Sequence, residues 1–553
     1  MRHKLWPMIK KAMESEIEGK MLNEAWQVVA RPTDKHVLKS RWVFALKLNE
    51  DGTIKEVKAR FVACGYSQIK DIDYTQIFAS TLVWISMRML LSWIADEDQE
   101  TDHVDAVKAF TQSTIDHEIY VEMPEGFSSK GFVLLLLKAL EGIKQGAYLW
   151  YQHNKAALTK LGFVSWTNEP NLYRHPEAGF RAGVFADDGL FGFSKSKREQ
   201  YLNFKSEYAK LINIGSHDSI SPAVRFVGCE IARNRDQHTL TITQRRYCEQ
   251  LEEEFKGKIA HQETPYGSTK EQRQRFEDLV RKDSDRPAVD RGLFLKICGK
   301  LIWPSSLTRP DIAHFVGTIT QLTMDPREDH IEWGYIGIGY IVATKNLGIT
   351  YGGRLKLPLG IFNMPADFEQ TCGLHTYHDS SFGTRPRPMG GYALMYNNGI
   401  VDWSSKRANL IPDSSREAEQ AVASRAVKAT LFARMLLAAN GRITSRNTPL
   451  IGDNKAFYEA VSQEGATFRT RYFERALMLV KRVVLLLLVA PFLVSTDYMV
   501  ADIFTKATDK GTFFKMRNYM MNVNGNLRGP LSEALSACAG ASKRIISRIM
   551  QRF

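Results

Sequence analysis

The sequence predicts a multidomain α+β protein, and three observations carry that expectation. The chain has 553 residues, of which 44% are hydrophobic and 24% charged, enough apolar content for roughly two to four buried cores. Between residues 26 and 264, short β-rich runs alternate with helical stretches, without the regular rhythm of a βαβ array. Near the middle, Gly183-Val184-Phe185-Ala186 and Leu190-Phe191-Gly192-Phe193 flank Asp187-Asp188-Gly189. Asp-Gly between apolar runs is a hairpin signal.

The elements follow in order. Pro7, then Ile9, Ala12, Met13 and Ile17 at helical spacing, predict a helix over 7–21. A second helix is expected over 148–161. Residues 270–291 are dense in charge and read as a surface helix plus linker. In Thr308-Arg309-Pro310-Asp311-Ile312-Ala313, Thr308 is placed to cap a helix whose first turn contains Pro310. A helical run covers 331–345. Residues 375–382 read as a strand carrying Asp379, and a second strand ends at Asp402-Trp403-Ser404-Ser405-Lys406. Ser414-Ser415-Arg416-Glu417 fits a capping box that opens a long helix to about Ala439. Leu450-Ile451-Gly452 brings Asp453 to a strand end, and Val500-Ala501-Asp502 puts Asp502 at a helix start.

Composition excludes several classes. The 74 Lys and Arg outnumber the 61 acidic residues, giving +13. That surplus suits a polyanionic partner such as nucleic acid, or plain solubility. The six cysteines show no Cys-x-x-Cys spacing, which argues against a disulfide framework or zinc site and for a reducing compartment. Residues 1–11 hold no apolar core of a signal peptide. The most apolar run, 483–494, is too short to span a bilayer, contains Pro491, and reads as a buried strand and its exit.

The chemistry is concentrated in carboxylates. Asp187 and Asp188 alone are readable as a solvated turn. A third, Asp105, lies in Asp105-Ala106-Val107-Lys108-Ala109-Phe110. One carboxylate on a strand facing a pair on a neighbouring hairpin is what two-metal nucleotidyl transfer needs. In the later part Glu419, Val422, Ala423 and Ala426 share a helical face, which turns Glu419 inward, where a carboxylate needs a partner such as a metal.

The stretch from Trp26 to Phe255 resembles the reverse transcriptase of copia-type LTR retrotransposons. The matching blocks run in order: Trp42-Val43-Phe44, Lys58-Ala59-Arg60-Phe61-Val62-Ala63 with Gly65, Asp71-Ile72-Asp73-Tyr74, and the Asp105 block. Then come Gly142-Ile143-Lys144-Gln145 with Trp150-Tyr151, Glu169-Pro170-Asn171-Leu172-Tyr173, Phe185-Ala186-Asp187-Asp188, and Phe226-Val227-Gly228-Cys229. The order Asp379, Glu419, Asp453, Asp502, with Trp-Ser-Ser-Lys and Ala-Asp-Ile-Phe-Thr-Lys, resembles the ribonuclease H domain that follows in the same elements.

The resemblance implies a right-hand polymerase of fingers, palm and thumb, followed by a ribonuclease H-like α/β domain. The implied divisions are 1–25 (leader helix), 26–264 (fingers and palm), 265–372 (thumb and connection), 373–510 (ribonuclease H-like) and 511–553 (basic tail). It implies Asp105, Asp187 and Asp188 as catalytic metal ligands in the first site, and Asp379, Glu419, Asp453 and Asp502 in the second, with two Mg²⁺ at each. Phe110 would exclude a ribose 2′-hydroxyl, though it is equally readable as a core aromatic. Lys58 and Arg60 would grip the triphosphate, or simply face solvent. Gln145, Phe185 and Ala186 complete the implied nucleotide-binding set. The implied partners are RNA and DNA template-primer, RNA–DNA hybrid and dNTPs, with no membrane, and the thumb would hold duplex by phosphate contacts. The implied location is a cytoplasmic virus-like particle and the nucleus.

The blocks also depart from the family's pattern. Phe185 and Ala186 stand where Tyr and Val are usual, and Ser380-Ser381-Phe382 has lost a second Asp. A degenerate relic that at most binds nucleic acid is therefore the rival expectation. Nothing upstream resembles protease or integrase, so a processed portion or a truncated gene copy is expected. The tail from Arg528 is open to three readings: a solvated helix, a nucleic-acid contact, or sequence foreign to the element.

Overall fold

A computed structural model describes residues 5–48, 54–215, 219–267, 269–280, 284–353, 373–383, 387–409, 411–442, 447–462 and 474–523. Most of the expected basic tail lies outside these. The chain divides into two compact units, Met1–Leu82 with Glu100–Ala223, and Val83–Gln99 with Val224–Phe553. These boundaries differ from the expected 264/265 division: the Phe226-Val227-Gly228-Cys229 turn falls in the second unit. So does the helix Trp84–Asp96, whose apolar residues are buried along nearly its whole length.

In the first unit, the helix Trp6–Leu22 has Pro near its start and buries Met13, Ile17 and Lys20. It packs on a two-stranded ribbon, Ser40–Leu48 against Ile54–Ala63. A five-stranded antiparallel sheet runs Glu100–Asp105, Asp188–Phe193, Arg181–Phe185, Glu169–Arg174, Val164–Trp166. Its apolar face closes on Phe163, Phe180, Phe191, Phe193, Tyr201 and Tyr208; Phe193 and Tyr201 stack 4.0 Å apart. Two glycines of the matching blocks serve a close backbone crossing: a Cβ on Gly65 would lie 2.1 Å from the Gly142 carbonyl, and one on Gly142 2.1 Å from that of Ala63.

The second unit holds a five-stranded mixed sheet in the order Gly399–Arg407, Met389–Tyr396, His375–Ser380, Thr448–Gly452, Val489–Leu493. The first three strands are antiparallel and the last two add in parallel. The helix Ser415–Ala439 packs on it through Ala423, Ala426 and Val427. A separate antiparallel sheet, Arg225–Phe226, Cys229–Asn234, Thr239–Thr243 and Ile349–Gly352, accompanies a group of helices. Among the described residues no helix is long and apolar enough to cross a membrane.

Four local expectations change. Thr308 does not open a helix; it closes Arg291–Leu307, and its hydroxyl donates to Gln244 Oε1 at 2.6 Å. Arg309 and Asp311 beside it form a fully buried bidentate pair at 2.8 and 2.9 Å, capped by Tyr340. That pair is fully enclosed in the helix group, with Arg309 also donating to the Thr344 hydroxyl at 2.8 Å. The run 483–494 divides between the end of the helix Glu474–Leu485 and the strand Val489–Leu493, because apolar content alone does not distinguish the two. Ser414 caps its helix as expected, but Glu417 reaches back to the Asp413 amide, one residue earlier than a reciprocal box requires. The helix Lys510–Met520 is integral, not tail: Tyr519 meets His375 at 3.1 Å.

Candidate active sites

The first site is built by strand register. Asp188 pairs directly with Asp105 across Asp188–Phe193 and Glu100–Asp105, and directly opposite residues share a face. Alternation sorts the acids of the earlier strand. Asp102 points into the core, fully buried, and is satisfied by Lys205 Nζ, Tyr201 Oη and the Ser221 amide, each at 2.7 Å. Asp105 points the other way, exposed.

Asp187 sits in the turn itself. The hairpin loop is Ala186-Asp187, not Asp188-Gly189: Phe185 pairs with Asp188, and Gly189 lies within the strand opposite Val104. Ala186 carries the positive φ of 54° that a tight turn requires, and Trp150 Nε1 donates to its carbonyl at 2.8 Å. The turn is thus held by a helix side chain.

The electrostatics show crowding. Partial desolvation by the surrounding strands, then Asp187 and Asp188, push the Asp105 carboxyl above its usual range, against the pull of His103 and Lys58. His103 Nε2 donates to Asp188 Oδ1, which raises the imidazole. Nothing in the sequence had singled out His103. Its signal was alternation, since it lies two residues before Asp105 and so on the same face.

A cleft of about 1050 Å³ opens over Asp105 and Asp187, lined also by Lys58, Arg60, Phe110 and Ala186 among others; Asp188, held by His103, lies outside that lining. Lys58 and Arg60 alternate along Ile54–Ala63 and share its cleft-facing side. Phe110 is half-buried on the cleft wall. The structure does not bring Gln145 there. It is fully buried, its amide donates to the Asp73 carbonyl at 2.7 Å and to Asp116, and its oxygen accepts from Gln68 at 3.0 Å. Phe185 lies one step behind, at the strand end opposite Asp188 and outside the lining.

The second site is a buried carboxylate cluster. One oxygen each from Asp379, Glu419 and Asp453 lies within 4.8 Å of the others. Asp379 comes from the central strand, Asp453 follows its parallel neighbour, and Glu419 projects from the long helix. Thr505 donates to Asp379, and Thr496 to Asp453 at 3.0 Å. His378 contacts Glu419 at 3.1 Å and Tyr458 at 3.2 Å. This second unassigned histidine is held neutral by burial, which lowers it to about 4.

Asp502 stands beside this trio. It lies in the short 3₁₀ turn Val500–Phe504, with one oxygen 2.7 Å from Lys506 Nζ and the other buried without a hydrogen-bond partner. Burial, then Asp379, raise its carboxyl to about 8. Burial, then Asp379 and Asp453, lift Glu419 well above its usual range. An all-oxygen donor set, crowded and desolvated, with one orphaned oxygen, fits a hard divalent cation such as Mg²⁺.

Residues 23–265 match the family described as reverse transcriptase (RNA-dependent DNA polymerase). Over 436 residues the chain is 28% identical to the retrovirus-related Pol polyprotein from transposon TNT 1-94 of Nicotiana tabacum, covering 78% of this chain and 31% of that one. It is 28% identical over 420 residues to the Pol polyprotein from transposon RE1 of Arabidopsis thaliana, covering 74% and 26%. The chain therefore spans about a third or less of the length of these relatives. A solved foamy viral protease–reverse transcriptase in complex with double-stranded DNA aligns at TM-score 0.43 with 10% identity, over 85% of this chain and 68% of that one, too loose a likeness to argue from.

Proposed function

We propose that this chain, which carries a reverse transcriptase domain over residues 23–265 and resembles copia-type retrotransposon Pol polyproteins beyond it, copies RNA or DNA template into DNA. We propose further that its second carboxylate cluster cuts the RNA strand of RNA–DNA hybrid. The register of Asp105 against Asp188, with Asp187 at the adjoining turn, carries the polymerase reading.

In the cleft, Asp105, Asp187 and Asp188 would hold two magnesium ions, whose Lewis acidity, when bound, favours the 3′-alkoxide and neutralises the triphosphate. Lys58 and Arg60 would grip phosphate oxygens. Phe110 would stand where a ribose 2′-hydroxyl would clash. Ala186 would supply the turn that aims Asp187. In the second site Asp379, Glu419 and Asp453 form the ligand core, with Asp502 as the reserve carboxylate. Grip on backbone charge and hybrid shape would leave template sequence largely unread.

The test is primer extension and hybrid cleavage by the purified chain. Mg²⁺-dependent incorporation lost in Asp187→Asn, and cleavage lost in Asp453→Asn, support the reading. A salt-sensitive binder without either activity would be the relic.

A further inference from the structure

We propose that the helix Trp6–Leu22, which precedes the matched domain, forms a working wall of the polymerase cleft, where Lys11 contacts phosphate oxyanions of the substrate. The proposal rests on the polymerase reading of that cleft. The helix has two faces. Met13, Ile17 and Lys20 make the buried one, while Met8, Lys11, Ala12 and Ser15, at helical spacing, line the cleft that holds Asp105 and Asp187.

The helix is fixed in place by polar contacts on both sides. Lys20 is fully buried between Glu16, at 3.3 Å, and Glu141. Glu16 in turn accepts from the Phe61 amide at 3.3 Å, on the strand that carries Lys58 and Arg60. Near its other end the Lys108 ammonium lies over Gly19, where a Cβ would overlap it at 1.7 Å. Lys108 belongs to the segment between Asp105 and Phe110. The helix is therefore seated on both the basic strand and the acidic loop.

Charge defines the ligand. The lining mixes Lys11, Lys58, Arg60 and Lys108 with Glu16, Glu56, Glu141, Asp105 and Asp187, a surface that suits a phosphate group arriving with its own cations. That phosphate belongs either to a nucleoside triphosphate or to a nucleic-acid backbone, and the two are separable.

The experiment compares wild type, K11Q, K11R and K10Q by equilibrium binding, without turnover, of labelled dATP and of a labelled DNA duplex with a single-stranded overhang, in Mg²⁺. Lys10 is exposed and faces Glu14 at 3.7 Å, so K10Q is the charge-matched control. K11Q is expected to weaken one ligand about fivefold or more, with K11R restoring it and K10Q unchanged. A shift in dATP alone assigns the triphosphate. A shift in duplex, with a salt slope shallower by about one, assigns the backbone. No shift in either ligand, or equal shifts in K11Q and K10Q, overturns the proposal. Failure of wild type to incorporate nucleotide would instead count against the polymerase reading, which these binding constants do not measure.

Discussion

Asp105 and Asp188 stand directly opposite one another on adjacent antiparallel strands. Two carboxylates so paired repel, and like charges in that relation destabilise a sheet. Asp105 lines the cleft and Asp188 meets His103, while the neighbouring Asp102 is buried and fully bonded. The contrast within one six-residue strand separates an acid that supports the fold from one left exposed on the cleft.

Removing one of the opposed acids should therefore split stability from function. Asp105→Asn is expected to raise the melting temperature slightly in metal-free buffer, since partial desolvation and two nearby carboxylates disfavour its charge. Incorporation should fall by about a hundredfold or more. Paired thermal-shift and primer-extension measurements check this; a variant that is both less stable and fully active would contradict it.

Trp150→Phe removes the donor that holds the Ala186 carbonyl. The expected cost is about 1 kcal/mol in denaturant unfolding, with a larger proportional loss of incorporation because the turn aims Asp187. Ala186→Gly, by contrast, relieves a left-handed backbone at φ 54° and should stabilise the turn by up to about 1 kcal/mol.

His375 sets a pH dependence. Burial lowers its pKa from 6.5 to about 4, so between those values the unfolded chain binds a proton that the native chain refuses. Stability then falls as pH drops from 6.5 toward 4, by up to roughly 3 kcal/mol from this residue. Urea unfolding of His375→Asn across that range should show a flatter dependence than wild type, and parallel curves would count against burial as the cause.

Lys506→Met leaves the buried Asp502 without its 2.7 Å ion pair. Above about pH 8, where the Asp502 carboxyl is ionised, roughly 1–3 kcal/mol of stability should be lost in chelator, and added Mg²⁺ should restore much of it, because a cation can take the place of the ammonium. Thermal melts with and without Mg²⁺ read this directly.

Much of this was legible in the sequence because charge chemistry is written in residue types. Asp188 falls opposite Asp105 across two strands, the carboxylates of Asp379, Glu419 and Asp453 come within 4.8 Å of one another, and Ser414 caps the long helix. What was misread involved partners distant in sequence. Asp188-Gly189 looked like the turn, but pairing with Val104 draws Gly189 into the strand. Gln145 looked like a nucleotide contact, but Asp73, Asp116 and Gln68 claim its amide. Thr308 looked like a helix start until Gln244 took its hydroxyl. His103 and His378 went unassigned because a histidine's role depends on which carboxylate it meets.

Asp105, Asp187 and Asp188 are proposed to hold divalent cations jointly. Anomalous diffraction from a manganese-soaked crystal tests it most directly. The account predicts manganese density within about 2.0–2.3 Å of carboxylate oxygens from both Asp105 and the Asp187–Asp188 pair. Density confined to the Asp379, Glu419 and Asp453 cluster, with none between the opposed strands, would contradict it.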